Sequence, residues 1–311
     1  MPKVLISDST NSIAKDIFEK NNIQVDIITD LNPESLKKII SQYEGLVVRS
    51  ATKATDEIIS AGKKLKVIGR AGAGVDNIDL LSAKKNNVVV MNTPGGNTNA
   101  TAEHTLSLLL SIYRNIPEAN YSTHQGLWEK KKFKGLELNG KNLGIIGFGN
   151  VGSRFAEMAL ALGMKVSVFS NSFEKRKTNF PKITSVTLSK LICESDIISF
   201  HCKPPPDGKP IISMDQFNLM KKNTVIINTA RGGLINEKDL KIALEKNIIR
   251  GAGVDVFSKE PAKENILFGL KNIILSPHIA ASTEEAQIIV AEKIATQISN
   301  FLNKGEVVNS V

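Results

Sequence analysis

The chain has 311 residues, long for one compact core and comfortable for two. Hydrophobic residues make up 41% and charged residues 23%, an ordinary globular balance, and no apolar run approaches the roughly 18 residues that would span a bilayer. A formal charge of +9 favours anionic ligands, but 5% aromatic residues and the lack of any helix-turn-helix, zinc-finger or RNA-binding signature argue against nucleic acid as the partner.

The N-terminal residues read as a first strand rather than a signal peptide, because a charge follows the first short apolar run. From there β-branched runs alternate with amphipathic stretches. Strands are expected at 3–7, 24–28, 45–49, 67–70 and 88–92, with helices at 12–21, 33–43, 55–61 and 80–86 between them. A long apolar helix at 101–112 follows the turn-rich Thr93-Pro94-Gly95-Gly96-Asn97, and 114–140 reads as long and irregular. The alternation then restarts, with strands at 142–147, 165–170, 197–201, 224–228, 251–256 and 272–275 and helices at 151–162 and 283–302. Two successive βα series imply two parallel-sheet α/β domains. Cys193 and Cys202, the only cysteines, lie in neither metal-ligand nor redox spacing, so neither a metal nor a disulfide is expected, and the cytoplasm is the expected compartment.

The strand at 142–147 runs into Gly147-Phe148-Gly149-Asn150-Val151-Gly152 and then directly into an apolar helix. In that setting Gly147 serves the tight turn and Gly149 the approach of a pyrophosphate. Gly152 serves close helix–strand packing, and the helix N-terminus supplies amide donors. The pattern predicts a dinucleotide. Ser170 stands at the end of the next strand, where an acid would bind the ribose diol of NAD. With Asn171, Ser172 and the basic 175–177 run nearby, NAD and NADP both stay open, with a lean to NADP.

Three strand ends carry further polar groups: Arg231 after 224–228, Asp255 at the end of 251–256 with Glu260 beyond it, and His278 after 272–275. Alone, each has an ordinary explanation as a surface charge, a loop residue or a structural histidine. Their order behind a dinucleotide loop, at strand ends where parallel sheets bind ligands, argues for chemistry. His104, His124 and His201 have no matching company, and His104 reads as a packing or hinge residue on an apolar helix.

With these motifs on the page, the chain resembles the D-2-hydroxyacid dehydrogenase family, most closely its phosphoglycerate-oxidising branch. The likeness also rests on Arg49-Ser50-Ala51-Thr52-Lys53, Gly69-Arg70-Ala71-Gly72-Ala73-Gly74-Val75-Asp76-Asn77, the 92–98 turn, Ala102-Glu103-His104-Thr105 and Trp128-Glu129-Lys130-Lys131-Lys132-Phe133. It implies a cofactor domain of Rossmann type at 99–281 inserted into a discontinuous, flavodoxin-like substrate domain of 1–98 plus 282–311. It implies hydride transfer between a nicotinamide and C2 of a small anionic 2-hydroxy or 2-keto acid, most simply 3-phosphoglycerate to 3-phosphohydroxypyruvate at the head of serine biosynthesis. Arg231 would bind the substrate carboxylate, His278 would exchange the C2 hydroxyl proton, and Glu260 would hold the imidazole. Asn150, Val151, Cys202, Thr229, Ala230, Asp255, Ala280 and Ala281 would line the cofactor beside Gly147, Gly149, Gly152 and Ser170. Ala73 and Gly74 would meet the carboxylate. Arg49, Arg70, Lys131 and Lys132 would receive a substrate phosphate, the lysines from a neighbouring subunit of a homodimer.

Two features depart from the family pattern. Cys202-Lys203 stands where a small residue and then proline are common, which brings Lys203 toward the adenosine side. The sequence also stops at Val311, which suggests a short form without C-terminal serine-sensing domains. Glyoxylate or hydroxypyruvate reduction is the alternative within catalysis. Glu260 argues against formate dehydrogenase, which has an amide in that role. A dinucleotide-sensing corepressor is the alternative outside catalysis.

Overall fold

The computed structural model describes residues 1–311. In chain order the first elements are β1 (Lys3–Ile6), α1 (Ile13–Lys20), β2 (Gln24–Ile27), α2 (Pro33–Ile39), β3 (Gly45–Val48), α3 (Asp56–Ala61), β4 (Val67–Arg70), α4 (Leu80–Lys85) and β5 (Val89–Asn92). Then come α5 (Thr98–Arg114), α6 (Ile116–His124), β6 (Asn142–Ile146), α7 (Asn150–Ala161), β7 (Lys165–Phe169), β8 (Thr184–Ser185), α8 (Leu188–Glu194) and β9 (Ile197–Phe200). The chain closes with α9 (Met214–Leu219), β10 (Val225–Asn228), α10 (Glu237–Glu245), β11 (Gly251–Val254), β12 (Ile273–Leu275) and α11 (Glu284–Lys304). It divides into two units, Met1–Asn97 with Ser282–Val311, and Thr98–Ala281.

The first unit is a five-stranded parallel sheet in the order β2-β1-β3-β4-β5. Strand side chains alternate between faces. Leu46, Val48 and Ile68 accordingly join Leu36, Ile58 and Ile59 on one side, while Val47 and Val67 join Val4, Phe18, Val290, Ile294 and Ile298 on the other. Local chemistry starts the helices. Asn32 accepts from Ser35 N at 2.8 Å ahead of Pro33, and Asp79 accepts from Ser82 N at 2.9 Å.

The second unit is a seven-stranded parallel sheet in the order β12-β11-β10-β9-β6-β7-β8. Strands β9 and β10 (Ile-Ile-Ser-Phe and Val-Ile-Ile-Asn) are buried along their whole length, as expected for central strands covered on both faces. Strand β6 pairs with β7 on one side and β9 on the other, so the strand order reverses there. That reversal is where open α/β sheets bind ligands, outside the strands' carboxyl ends. The two parallel α/β domains expected from the sequence are both present.

One reading is corrected. The 114–140 segment is not irregular throughout, because α6 occupies Ile116–His124. Asn115 takes a left-handed conformation (φ 52°), which ends α5, and Pro117 then starts α6 in the first turn, where its missing N–H costs nothing.

Candidate active site

At the switch point, Gly147 has φ 92°, a value that L side chains rarely adopt. The loop then enters α7 through Gly149, and no side chain caps this helix, so its first amides are left without a side-chain acceptor. A Cβ on Gly149 would meet nothing within 4 Å, whereas one on Gly152 would strike the Gly147 carbonyl. An open face with unclaimed N–H donors at a helix N-terminus fits a dinucleotide pyrophosphate, with Asn150 and Val151 in the first turn.

The neighbouring strand β9 delivers His201 and Cys202 beside this loop. Burial pushes the His201 imidazole down to about 3, so it is neutral, and its Nε2 lies 2.9 Å from Ser199 Oγ. Burial pushes the Cys202 thiol up to about 11, which makes it a neutral wall and not a nucleophile at pH 7.

Glu260 and His278 sit on the loops after β11 and β12. His278 Nδ1 lies 2.7 Å from Glu260 Oε2, and Glu260 Oε1 accepts from Phe257 N at 2.9 Å. Burial alone would raise the Glu260 carboxyl. Hydrogen bonds from His278 and the Phe257 N–H outweigh it and hold the group below the usual carboxylate range. With Nδ1 engaged, Nε2 is the nitrogen available to a substrate hydroxyl. His278 itself is left-handed (φ 53°), held by its N–H to the carbonyls of Asp255 at 2.8 Å and Ser276 at 3.1 Å. On the adjacent strand β10, Asn228 Nδ2 donates to the Arg231 carbonyl at 2.8 Å, and Arg231 Nη1 donates to the Ala230 carbonyl at 2.6 Å. The next residue, Gly232, lies against the Phe257 carbonyl so closely that a Cβ would collide with it, which packs the Arg231 turn on the Glu260 loop.

Asp255 organises this corner. It is fully buried, and its carboxylate accepts from Ser276 Oγ at 2.5 Å, Ile279 N at 2.9 Å and Ala280 N at 2.9 Å, with His104 Nε2 at 3.4 Å. Burial would raise this carboxyl, but the donors more than offset it and hold it below its ordinary value. The carboxylate thus ties down both flanks of His278, and Ala280 and Ala281 follow directly. His104, on α5, adds a 2.9 Å hydrogen bond to Ser276 Oγ. Thr229 Oγ1 bonds Thr105 Oγ1 of the same helix at 2.8 Å. The sequence reading missed the part His104 plays; the available signal was its spacing one residue before Thr105 on a helix that packs under β10 and β11.

In the first unit, Arg49, Arg70, Ala73 and Gly74 all lie at or just beyond the carboxyl ends of β3 and β4. Asp8, almost buried, accepts from Arg49 N at 2.5 Å and from Thr52 N and Oγ1 at 3.0 and 2.6 Å. Asn77 Nδ2 donates to the carbonyls of Arg49 and Thr52 at 2.8 and 2.6 Å. These braces, also missed in the sequence, fix the turn that carries Arg49. Its guanidinium reaches the Ser9 carbonyl at 2.9 Å.

Lys131 and Lys132 do not join the strand-end group of their own unit. Lys132 pairs with Glu129 at 3.2 Å and lines a cavity with Asn223, Arg250 and Asn272, residues that precede β10, β11 and β12. That is the opposite end of the sheet from Arg231, Glu260 and His278.

The doubly wound sheet and its glycine loop define a dinucleotide-binding domain. Residues 106–280 match the family described as D-isomer specific 2-hydroxyacid dehydrogenase, NAD binding domain. D-3-phosphoglycerate dehydrogenase of Synechocystis sp. is 43% identical over 302 residues, which is 97% of this chain and 54% of the relative. The NAD+-bound 3-phosphoglycerate dehydrogenase of Entamoeba histolytica superposes with a TM-score of 0.82 at 31% identity, covering 100% of this chain and 98% of that one. An acyclic imino acid reductase in complex with NADPH and D-Arg superposes with a TM-score of 0.87, also at 31% identity, with 99% of each chain covered. The chain belongs to the D-isomer specific 2-hydroxyacid dehydrogenase family. It spans 54–59% of the length of the curated relatives it matches.

Proposed function

We propose that this chain interconverts a D-2-hydroxy acid and its 2-keto acid, and that the acid is 3-phosphoglycerate. The observation that carries the reading is the 2.7 Å His278–Glu260 pair, its residues one and two strands from Arg231 on the sheet that bears the dinucleotide loop. The bound nicotinamide supplies or takes the hydride at C2. His278 Nε2 takes the hydroxyl proton during oxidation and returns it during reduction, and the Glu260 carboxylate compensates the imidazolium that forms. Arg231 pairs with the substrate carboxylate and draws electron density from the C2 oxygen.

The phosphorylated substrate is supported by the relatives named above and by the net charge of +9. Arg49 and Arg70 are the residues assigned to the phosphate, Ala73 and Gly74 to the carboxylate, and Lys131 and Lys132 to a phosphate held by a second copy. A homodimer is part of the same reading, supported by Ile116, Tyr121, Leu127 and Trp128, all exposed on one short segment. Light scattering at micromolar concentration tests it.

The discriminating experiment is steady-state reduction of 3-phosphohydroxypyruvate against hydroxypyruvate and glyoxylate. The phosphoglycerate reading expects kcat/KM to favour the phosphorylated acid by about two decades, roughly 2.7 kcal/mol of transition-state discrimination. Equal or better turnover of the unphosphorylated acids would make this a general 2-keto acid reductase. Absence of turnover on all three would leave a sensor that keeps the dinucleotide fold.

A further inference from the structure

The amino-terminal end of the seven-stranded sheet carries charge that has no part in the dinucleotide site. Register sets Val225 beside Gly251 and Ala252 beside Ile273, so β10, β11 and β12 start level with one another. Neighbouring strands in a sheet lie about 4.8 Å apart. The turns that lead into these strands therefore come to one edge, and each brings a cation: Lys222, Arg250 and Lys271. The backbone there is tied down. Arg250 N donates to the Thr224 carbonyl at 2.9 Å and Ala252 N to the Asn272 carbonyl at 3.1 Å, while Asn272 Nδ2 donates to the Leu244 carbonyl at 3.1 Å.

A cavity of about 460 Å³ opens against all three cations. None of their side chains has a hydrogen-bond or ion-pair partner. The acids around them are committed elsewhere or held apart. Asp196, just before β9, accepts from Lys221 Nζ at 2.9 Å and from Asn142 N at 2.8 Å. Glu118 of α6 lines the same cavity but pairs with none of the three. Lys132 also lines it and is turned to Glu129 at 3.2 Å. Like charges gathered on neighbouring strands with no carboxylate between them repel one another, and a bound anion removes that cost.

The rest of the lining narrows the kind of anion. Buried Ile249, with Ile274 and Phe133, supplies an apolar wall, and Asn223 offers an amide with no other partner. One guanidinium fork uses both oxygens of a carboxylate. A phosphate monoester keeps a third terminal oxygen for a flanking lysine and carries close to two charges at neutral pH.

We propose that this cavity is a binding site for a small organic phosphate. Arg250 is its fork, Lys222 and Lys271 stand on the two neighbouring strands, and the apolar wall meets the organic part. The site lies at the opposite end of the sheet from Arg231, Glu260 and His278, and it does not depend on which acid the chain turns over.

The test is calorimetric titration of the full chain with phenyl phosphate, inorganic phosphate and benzoate, with amide exchange to place the ligand. Phenyl phosphate is expected to bind about tenfold tighter than inorganic phosphate, because its ring is covered, and about tenfold tighter than benzoate. Arg250→Ala weakens phenyl phosphate by about 10- to 100-fold. Lys222 is exposed, so Lys222→Ala probes the site with the fold undisturbed, and it weakens binding by about three- to tenfold. Lys132→Ala leaves the affinity in place. The ligand slows exchange at the Arg250 and Ala252 amides and not along Gly147 to Gly152. Affinity that survives both Arg250→Ala and Lys222→Ala, or that falls in Arg49→Ala in their place, overturns the site. Equal affinity for benzoate overturns the ligand class. No binding of phenyl phosphate overturns the proposal outright and leaves turnover of 2-keto acids as a separate measurement.

Discussion

At the scale of single residues, the candidate site depends on carboxylates that burial opposes and hydrogen bonds secure. In the proposed mechanism Glu260 positions His278 through the 2.7 Å contact to its Nδ1. Glu260→Gln keeps a hydrogen-bonding atom at the ring but loses the charge that compensates the imidazolium. Steady-state kinetics should show kcat down by about 10- to 100-fold, with little change in KM and an unchanged far-ultraviolet spectrum. Asp255 makes the complementary prediction about stability. Its folded-state pKa is depressed, as is that of Glu260, so each favours the folded state above the ordinary carboxylate range. That contribution is lost as the pH falls below about 4 and through the depressed values. Urea midpoints should therefore hold steady between about pH 6 and 8, as far as these two groups decide it, and drop on acidification. Asp255→Asn cannot accept from two backbone N–H groups and two side chains at once. It should cost about 1–3 kcal/mol at neutral pH and flatten the acid drop. An acid limb identical to the parent's would remove Asp255 from the account.

At the scale of elements, most strands and the glycine loop were legible because their signals are local. Runs such as Leu46-Val47-Val48 and Ile226-Ile227 are apolar and rich in β-branched residues, and Gly147 to Gly152 falls between a strand and a helix. Strand β8 and helix α6 were not. The former is two exposed residues, and the latter is mostly solvated, its start set by the backbone angle of Asn115 and not by an apolar stripe. His104, Asp8 and Asn77 were illegible for another reason: their partners lie from 25 to 172 residues away in the chain, and no local pattern reports such pairing. Helix α11 shows how a remote element imposes a local choice. It crosses β4 at Gly69, where a Cβ would fall inside contact distance of Ile294 and Ile298. Gly69→Ala must push the Ile294 and Ile298 side chains out of place or move the helix or strand itself, and overpacking of this kind costs about 1–3 kcal/mol. Equilibrium denaturation should show that loss in the first unit, with hydrogen exchange in β6, β9 and β10 of the second unit unaltered.

At the scale of the whole molecule, the two units differ in how the chain supplies them. The Thr98–Ala281 unit is contiguous, and its clusters on both faces of the seven-stranded sheet are drawn wholly from its own residues. The other unit is completed only when Ser282–Val311 returns to it. Val290, Ala291, Ile294, Ala295 and Ile298 are each at most 5% exposed and cover the face formed by Val4, Val47 and Val67. Burying one such Val or Ile is worth about 1.5–3 kcal/mol, so the three larger side chains together carry on the order of 5–9 kcal/mol. A typical domain's whole stability is about 5–15 kcal/mol. Ending the chain after Ala281 should therefore leave β1 to β5 without a fold while the second unit persists. Amide exchange would show protection confined to β6, β7 and β9 to β12. The shortened chain would still bind dinucleotide in a calorimetric titration, because the Gly147 to Gly152 loop and Ser170 lie in the surviving unit. It would show no turnover on the proposed reading, which assigns the substrate to Arg49, Arg70, Ala73 and Gly74 of the lost unit. Retained protection in β3 and β4 would mean that the β-strands and α1 to α4 suffice without their returning helix. The discontinuity would then be a feature of chain order with no energetic consequence.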